Sequence, residues 1–331
     1  MKKILSLALA LVLVLSMSTV AFADGYDDYL DKSTSFTKEY VVTNGTAPAE
    51  TFDFNVEYQS FKNNEGEIET VSTYPTVTLG DAVFTSDLST TNNAAVSVDI
   101  SNYDGVALGV YTYKITEAVP TTKTAGTTYN REPVYLVVTI LRDESSTKRY
   151  VAAIHYETAT GKKTGKITNS YNAGQLSVTK QIEGNMADMS KKFQFTVVFT
   201  PAEGTAFNTT VQIANDAAST NRQYEATKNE DGTYTIVFNL GDDETATFTN
   251  IPVGTTYTVS ENEDGYTKEN TTKADGTISG GDVDQDVWTN TLTSAIDTGI
   301  NMDSMPYILL LAVACMGLFV FFSKKRMMRE N

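Results

Sequence analysis

Apolar and polar residues alternate with a period of two along most of the chain between residues 33 and 293. Thr51-Phe52-Asp53-Phe54-Asn55-Val56, Val134 to Leu141 and Phe193-Gln194-Phe195-Thr196-Val197-Val198-Phe199 carry the pattern most clearly. Such runs, rich in Thr, Val, Tyr and Phe and bounded by Gly, Asn and Asp, predict strands with one face on a core. Asp143 to Lys148 reads as the turn between runs Val134–Arg142 and Arg149–Tyr156, and Asn229-Glu230-Asp231-Gly232 as a second hairpin turn. Many short strands with few helical periods predict an all-β fold of sandwiches.

Two segments break the alternation, one at each end. Lys2 and Lys3, the apolar run Ile4 to Leu15, and Ala21-Phe22-Ala23 have the order of a secretory signal peptide over residues 1–23, cleaved after Ala23. At the other end Met305 to Phe322 is a run of 18 uncharged residues, followed by Lys324, Lys325, Arg326 and Arg329. A run of that length is about the minimum that crosses a bilayer as a helix, and the basic cluster would hold the tail in the cytoplasm. The body between is expected outside the membrane. Its first residues, 24–32, form an acidic, Tyr-containing leader that reads as flexible.

The body repeats itself weakly. Phe36-Thr37-Lys38 and Ser177-Val178-Thr179-Lys180 each open a unit, Tyr113-Lys114-Ile115-Thr116-Glu117 matches Tyr257-Thr258-Val259-Ser260-Glu261, and Ile167-Thr168-Asn169 matches Trp288-Thr289-Asn290. The polar stretch Asn172 to Gln175 is the expected junction. The repeat divides the chain into domains at 33–173 and 174–293, with a C-terminal signal at 294–331.

Each unit therefore presents a Lys, a Glu and an Asn in that order. Residues i and i+2 share a strand face. Lys38 lies with Phe36 and Tyr40, and Lys180 with Val178 and Ile182. Glu117 lies with Tyr113 and Ile115, and Glu261 with Tyr257 and Val259. Asn169 lies with Ile167 and Tyr171, and Asn290 with Trp288. Six polar residues on apolar faces demand partners, since Lys and Glu are almost never buried alone. One reading is a buried ion pair hydrogen-bonded to Asn, a poor stabiliser once desolvation is counted; another is a wet edge strand. The sharper reading is self-modification. An apolar site favours the neutral amine of Lys, which attacks the Asn side-chain carbonyl, and favours the protonated acid of Glu, which polarises that carbonyl and shuttles protons while ammonia leaves. The product is an intramolecular isopeptide bond.

Charge and composition narrow the alternatives. Of 331 residues, 25 are Lys or Arg and 41 are Asp or Glu, a net charge of −16. Removing the two ends takes away six basic and two acidic residues, leaving 19 against 39 and a net of −20 for the exported body. Phosphate backbones repel such a surface, so nucleic acid is not an expected partner. The single Cys, Cys315, lies in the expected membrane span, so the body has neither a disulfide framework nor a Cys-based zinc site. Asp282-x-Asp284-x-Asp286 begins like a calcium loop but lacks its later Gly and Glu. His155 has no nucleophile arrangement that can be placed beside it. No cofactor, metal or enzymatic turnover is expected.

Taken together, these motifs give the body a close resemblance to the backbone (major) pilins of Gram-positive sortase-assembled pili, which are built from tandem Ig-like, CnaB-type domains. Ile251-Pro252-Val253-Gly254 leading into Tyr257 and Glu261 is the most specific of them. The resemblance implies two cross-links, Lys38 to Asn169 assisted by Glu117 and Lys180 to Asn290 assisted by Glu261. The C-terminus resembles a cell-wall sorting signal: Thr298-Gly299, a short spacer, the span and the basic tail. It departs from the usual Leu-Pro-x-Thr-Gly in having Ala295 and Ile296 in the first two places. In that family a sortase cleaves between Thr and Gly and passes the Thr carbonyl to a Lys of the next subunit. Here Lys162 stands at the best-matching offset, with Lys163 and Lys166 as rivals, although a solvated lysine turn is the plainer reading of any one of them. The implied partners are a sortase, further copies of the chain in a head-to-tail polymer, minor pilins and peptidoglycan, with the membrane holding only the precursor. The implied location is the cell wall and pilus surface, and adhesion the implied service. The longer tyrosine-proline-lysine pilin motif is missing, so a wall-anchored monomeric adhesin, or a minor or basal pilin, is the alternative.

Overall fold

The computed structural model describes residues 32–85, 88–144, 147–208, 213–215, 224–262, 264–270, 273–294 and 305–327. The signal peptide with Ala23, and Ala295, Ile296, Thr298 and Gly299, lie outside the described residues. The structure is all-β, with four large sheets stacked in pairs as two Ig-like sandwiches.

In the N-terminal unit one sheet orders strands Thr76–Leu79, Asn92–Ser101, Lys32–Val42, Lys166–Tyr171 and Thr127–Thr128. The facing sheet orders Arg149–Glu157, Val134–Arg142, Gly109–Ala118, Glu50–Lys62 and Ile68–Glu69, with Ala82–Phe84 also pairing to Glu50–Lys62. In the C-terminal unit the first sheet orders Ala214–Asn215, Thr245–Pro252, Ala173–Glu183, Val283–Thr291 and Thr267–Asn270. Its partner orders Thr227–Lys228, Tyr234–Leu240, Phe193–Thr200, Thr256–Glu261 and Asp275–Thr277. The period-two reading is visible in the burial: Gly109–Ala118 buries every second residue, Tyr111, Tyr113, Ile115 and Glu117 among them.

Each unit fills the space between its sheets with its own core. Phe36, Tyr40, Phe52, Val98, Ile115, Leu136 and Ile140 pack in the first, and Leu176, Val178, Phe195, Phe199, Phe238, Phe248 and Trp288 in the second. Aromatic rings meet edge-on, as Tyr40 does with Phe52 at 5.2 Å and Phe195 with Trp288 at 5.9 Å between centroids, the arrangement ring quadrupoles favour.

One detail differs from expectation and another sharpens it. Lys32 is not part of a leader but opens the first strand, its side chain buried and opposite Ile100. The junction falls in the polar stretch Asn172 to Gln175, yet most of that stretch belongs to a strand. Strand Lys166–Tyr171 ends one residue before strand Ala173–Glu183 begins, and Ala173 and Gly174 are buried within that strand. The burial has a physical cause, because the units are stitched together at this point. Asn172 accepts a hydrogen bond from Asn44 at 2.9 Å, and Thr205–Ala206 of the second unit pairs in parallel with Lys123–Thr124 of the first. Asn250, held at φ 56°, turns its Oδ1 toward the Thr46 N–H at 2.8 Å.

The apolar run near the C-terminus falls on α1, Met305–Met327. Its described apolar side chains are exposed and reach from Tyr307 to Phe322. Among the described residues no helix is long and apolar enough to cross a membrane.

Candidate functional site

The Lys strand and the Asn strand of each unit are neighbours, and both pairs run parallel. In the first unit Asn169 is in register with Tyr40, two residues beyond Lys38. In the second Asn290 is in register with Ile182, two residues beyond Lys180. The offset is the same, so each Lys and its Asn are diagonal neighbours on one inward face. The Glu comes from the opposite sheet: Glu117 is the last residue but one of strand Gly109–Ala118, and Glu261 ends strand Thr256–Glu261. Stacked sheets lie about 10 Å apart, a gap that a Lys and a Glu can close between them.

A turn aims the second of these strands. Pro252 accepts from the Thr255 N–H at 3.2 Å, with Gly254 at φ 83°, a conformation that suits Gly because it has no Cβ. The strand carrying Glu261 starts at the next residue.

In the N-terminal unit the Lys38 ammonium meets Glu117 Oε2 in an ion pair whose side chains are both fully buried. Asn169 Nδ2 donates to the other carboxylate oxygen, Oε1, at 2.6 Å. Lys38 Nζ also lies 4.4 Å from the centre of the Phe52 ring. Burial pulls the Lys38 amine below the ordinary lysine range, against the hydrogen bond and charge of Glu117.

In the C-terminal unit Lys180 Nζ lies 3.2 Å from Glu261 Oε1 and donates to the Trp288 carbonyl at 3.1 Å. Asn290 Nδ2 donates to Glu261 Oε1 at 3.0 Å, and the Phe193 ring centre is 4.8 Å from the Lys180 ammonium. Burial lowers the Lys180 amine and raises the Glu261 carboxyl, both against their mutual attraction. Both shifts favour the neutral pair, an amine beside an acid.

All six residues singled out by their strand faces are buried and meet three by three. The geometry differs from the sequence reading in one respect. Each Glu contacts the Asn nitrogen rather than its carbonyl, so it bridges the Lys amine and the Asn amide nitrogen. A carboxyl group so placed can relay a proton between the amine and the amide nitrogen, giving one up on one side and taking one on the other.

Sequence reasoning missed the aromatic floor under each Lys, because Phe52 and Phe193 look like ordinary core positions. It also missed Asn130, whose backbone N–H donates to Asn169 Oδ1 at 2.8 Å; a main-chain donor has no residue signature. Glu50 is a further buried carboxyl nearby. It accepts from the Tyr129 hydroxyl at 2.9 Å and is raised by burial, with the charge of Glu117 adding to the effect.

Of the lysines considered for linkage, Lys162 and Lys163 precede strand Lys166–Tyr171 and Lys166 opens it. Lys162 is exposed in a turn that Thr158 closes by donating to the Lys162 carbonyl at 2.8 Å. Lys163 is exposed and bridges Glu157 through its backbone. Lys166 pairs with Glu39 at 2.8 Å and holds that carboxyl below its usual range. Elsewhere, His155 approaches Glu157 at 3.6 Å, and Trp288 donates to Asp286 at 2.8 Å. Among the described residues no three His, Cys, Asp or Glu side chains group as a metal site.

Comparison with solved structures places this architecture. The crystal structure of the major pilin from Streptococcus pyogenes matches with a TM-score of 0.53 at 21% identity, covering 79% of this chain and 99% of that one. The chain has the fold of a streptococcal major pilin. A mutant of that pilin matches with a TM-score of 0.51 over the same shares of the two chains. By sequence the chain is 27% identical over 311 residues to a protein named Pilin from Streptococcus pyogenes serotype M1, covering 87% of this chain and 88% of the relative. Residues 174–292 match a family described as a domain of unknown function, DUF7601. That match coincides with the C-terminal sandwich of the pilin fold and contains the whole Lys180, Glu261 and Asn290 group.

Proposed function

We propose that this chain is a structural subunit of a cell-surface pilus, joined to its neighbours by a sortase and locked internally by two Lys–Asn isopeptide bonds. The observation that carries the reading is the repeated register: in two units the buried Lys stands at the same offset from a buried Asn, with a Glu reaching both from the facing sheet. A buried ion pair alone is a weak source of stability, and its repetition is better accounted for by reaction. The extent of the likeness to streptococcal pilins supports the same reading.

In this account the amine of Lys38 or Lys180 attacks the Cγ of its Asn. The new N–C bond replaces the bond to Nδ2, and Glu carries the proton lost by Lys to the ammonia that departs. Each reaction occurs once, so the chain modifies itself and turns over no substrate. The precursor is held by the apolar segment Met305–Phe322 and its basic tail until sortase cuts between Thr298 and Gly299. The Thr298 carbonyl then passes to the amine of Lys162 on the next copy, with Lys163 and Lys166 as the alternatives. Repetition of that heterologous contact cannot close on itself and builds a filament, finally transferred to peptidoglycan. Minor pilins and adhesion to a surface complete the reading.

The test is sortase treatment of the purified chain followed by denaturing electrophoresis. The account expects a ladder of covalent multimers. Wall-linked monomer without a ladder would favour a monomeric adhesin instead.

A further inference from the structure

The two sites are not equivalent at the carbonyl that is attacked. Asn169 Oδ1 accepts the Asn130 backbone N–H at 2.8 Å. A main-chain N–H can only donate, which fixes the orientation of the Asn169 amide, oxygen toward Asn130 and nitrogen toward Glu117. Asn290 Oδ1 is buried and has no hydrogen-bond partner among the described residues, and the same holds for Glu261 Oε2.

Asn130 is held in place from several directions. Tyr129, just before it, donates its hydroxyl to Glu50 and accepts the Thr124 N–H at 3.1 Å. Thr127 meets the Tyr40 hydroxyl at 2.8 Å, and Thr127–Thr128 pairs with Tyr171 and Ser170 of the Asn169 strand. The Asn130 side chain itself closes a turn by accepting the Glu132 N–H at 2.6 Å. The donor is therefore in position before any bond forms.

We infer that the Asn130 backbone N–H is an oxyanion donor for the first cross-link, and that the second cross-link forms without a counterpart. The inference rests on the isopeptide reading above. When Lys38 Nζ bonds to Cγ of Asn169, the carbonyl electron pair moves onto Oδ1, and the Asn130 N–H stabilises that developing charge. The pair returns as the Cγ–Nδ2 bond breaks, and ammonia leaves with the proton carried by Glu117. Fixed donors aimed at a developing oxyanion act strongly in a water-excluded site.

The test is full-length synthesis in a cell-free system, with samples quenched over time and the Lys38–Asn169 and Lys180–Asn290 cross-linked peptides quantified after digestion. Replacing residue 130 by its α-hydroxy analogue turns the amide into an ester, which deletes the N–H while keeping the side chain. The first bond is then expected to form about 10²–10³-fold more slowly, the usual cost of one lost oxyanion donor, while the second keeps its rate. Asn130→Ala, which retains the N–H, is expected to stay within about tenfold of the original, well short of that cost. An ester variant that forms the first bond at the original rate, or an Asn130→Ala variant as slow as the ester, would overturn the inference. A further measurement needs no change at residue 130. In unreacted Lys38→Ala protein a coupling across the hydrogen bond between the Asn130 nitrogen and Asn169 Cγ is expected, and a freely exchanging Asn130 amide without it contradicts the assignment. Absence of both cross-linked peptides from the unaltered chain would instead refute the isopeptide reading itself.

Discussion

Asn169 stands opposite Tyr40 on a parallel neighbouring strand, and so lies diagonally across from Lys38 on the same buried face. Asn290 takes the same place relative to Lys180, with Ile182 opposite it. This register brings an amine to an amide in a dry core, and the central prediction concerns what the Glu between them does.

Glu117→Ala and Glu261→Ala are each expected to leave one cross-link unformed. Each bond closes a loop on the order of 100 residues, for which the chain-entropy model gives about 4–5 kcal/mol of stability. Each variant should therefore lose roughly that much in chemical denaturation, plus the cost of a Lys left buried without its partner. Retained stability together with an intact cross-link would remove Glu from the mechanism.

The unreacted C-terminal site should be sensitive to pH. With Asn290→Ala no bond can form, and Lys180 and Glu261 remain as titrating groups. Glu261 is raised above its usual 4.5 by burial, so the folded state holds its proton longer, and stability should fall as pH rises through the window just above 4.5. Lys180 is lowered below 10.5, so the unfolded state binds more protons there, and stability should rise with pH through the window below 10.5. The reference is the same variant with Lys180→Met and Glu261→Leu added. Parallel stability curves for the two proteins would contradict these shifts.

Asn250 is expected to control the joint between the units. Its Oδ1 accepts the Thr46 N–H, and its backbone holds a positive φ that Asn tolerates better than most residues. Asn250→Ala should cost about 1–3 kcal/mol through the stranded Thr46 donor, read as a lower denaturation midpoint. An unchanged midpoint would mean that water replaces the side chain without loss.

For polymerisation, Lys162→Ala is expected to abolish the sortase ladder, and Lys166→Ala to leave it, because the Lys166 ammonium is already paired with Glu39. A ladder that persists when Lys162 and Lys163 are both replaced would move the linkage elsewhere.

Much of this arrangement was legible in the sequence. Alternation in runs such as Phe193 to Phe199 gave the strands, and the polar exceptions to it, Lys38, Glu117 and Asn169 with their counterparts, gave the site. What the pattern could not supply was the parallel register, since strand pairing depends on contacts far apart in the chain. Nor could it locate the Asn130 donor, because main-chain groups look alike at every position. The junction at Asn172 was legible as a polar stretch, but not that its side chain serves a contact between the units.

The most direct test of the account is the intact mass of the recombinant body, residues 24–298. Two isopeptide bonds predict a mass lower than that of the sequence by two molecules of ammonia, with Glu117→Ala and Glu261→Ala each restoring one. A mass equal to that of the unmodified chain would contradict the account.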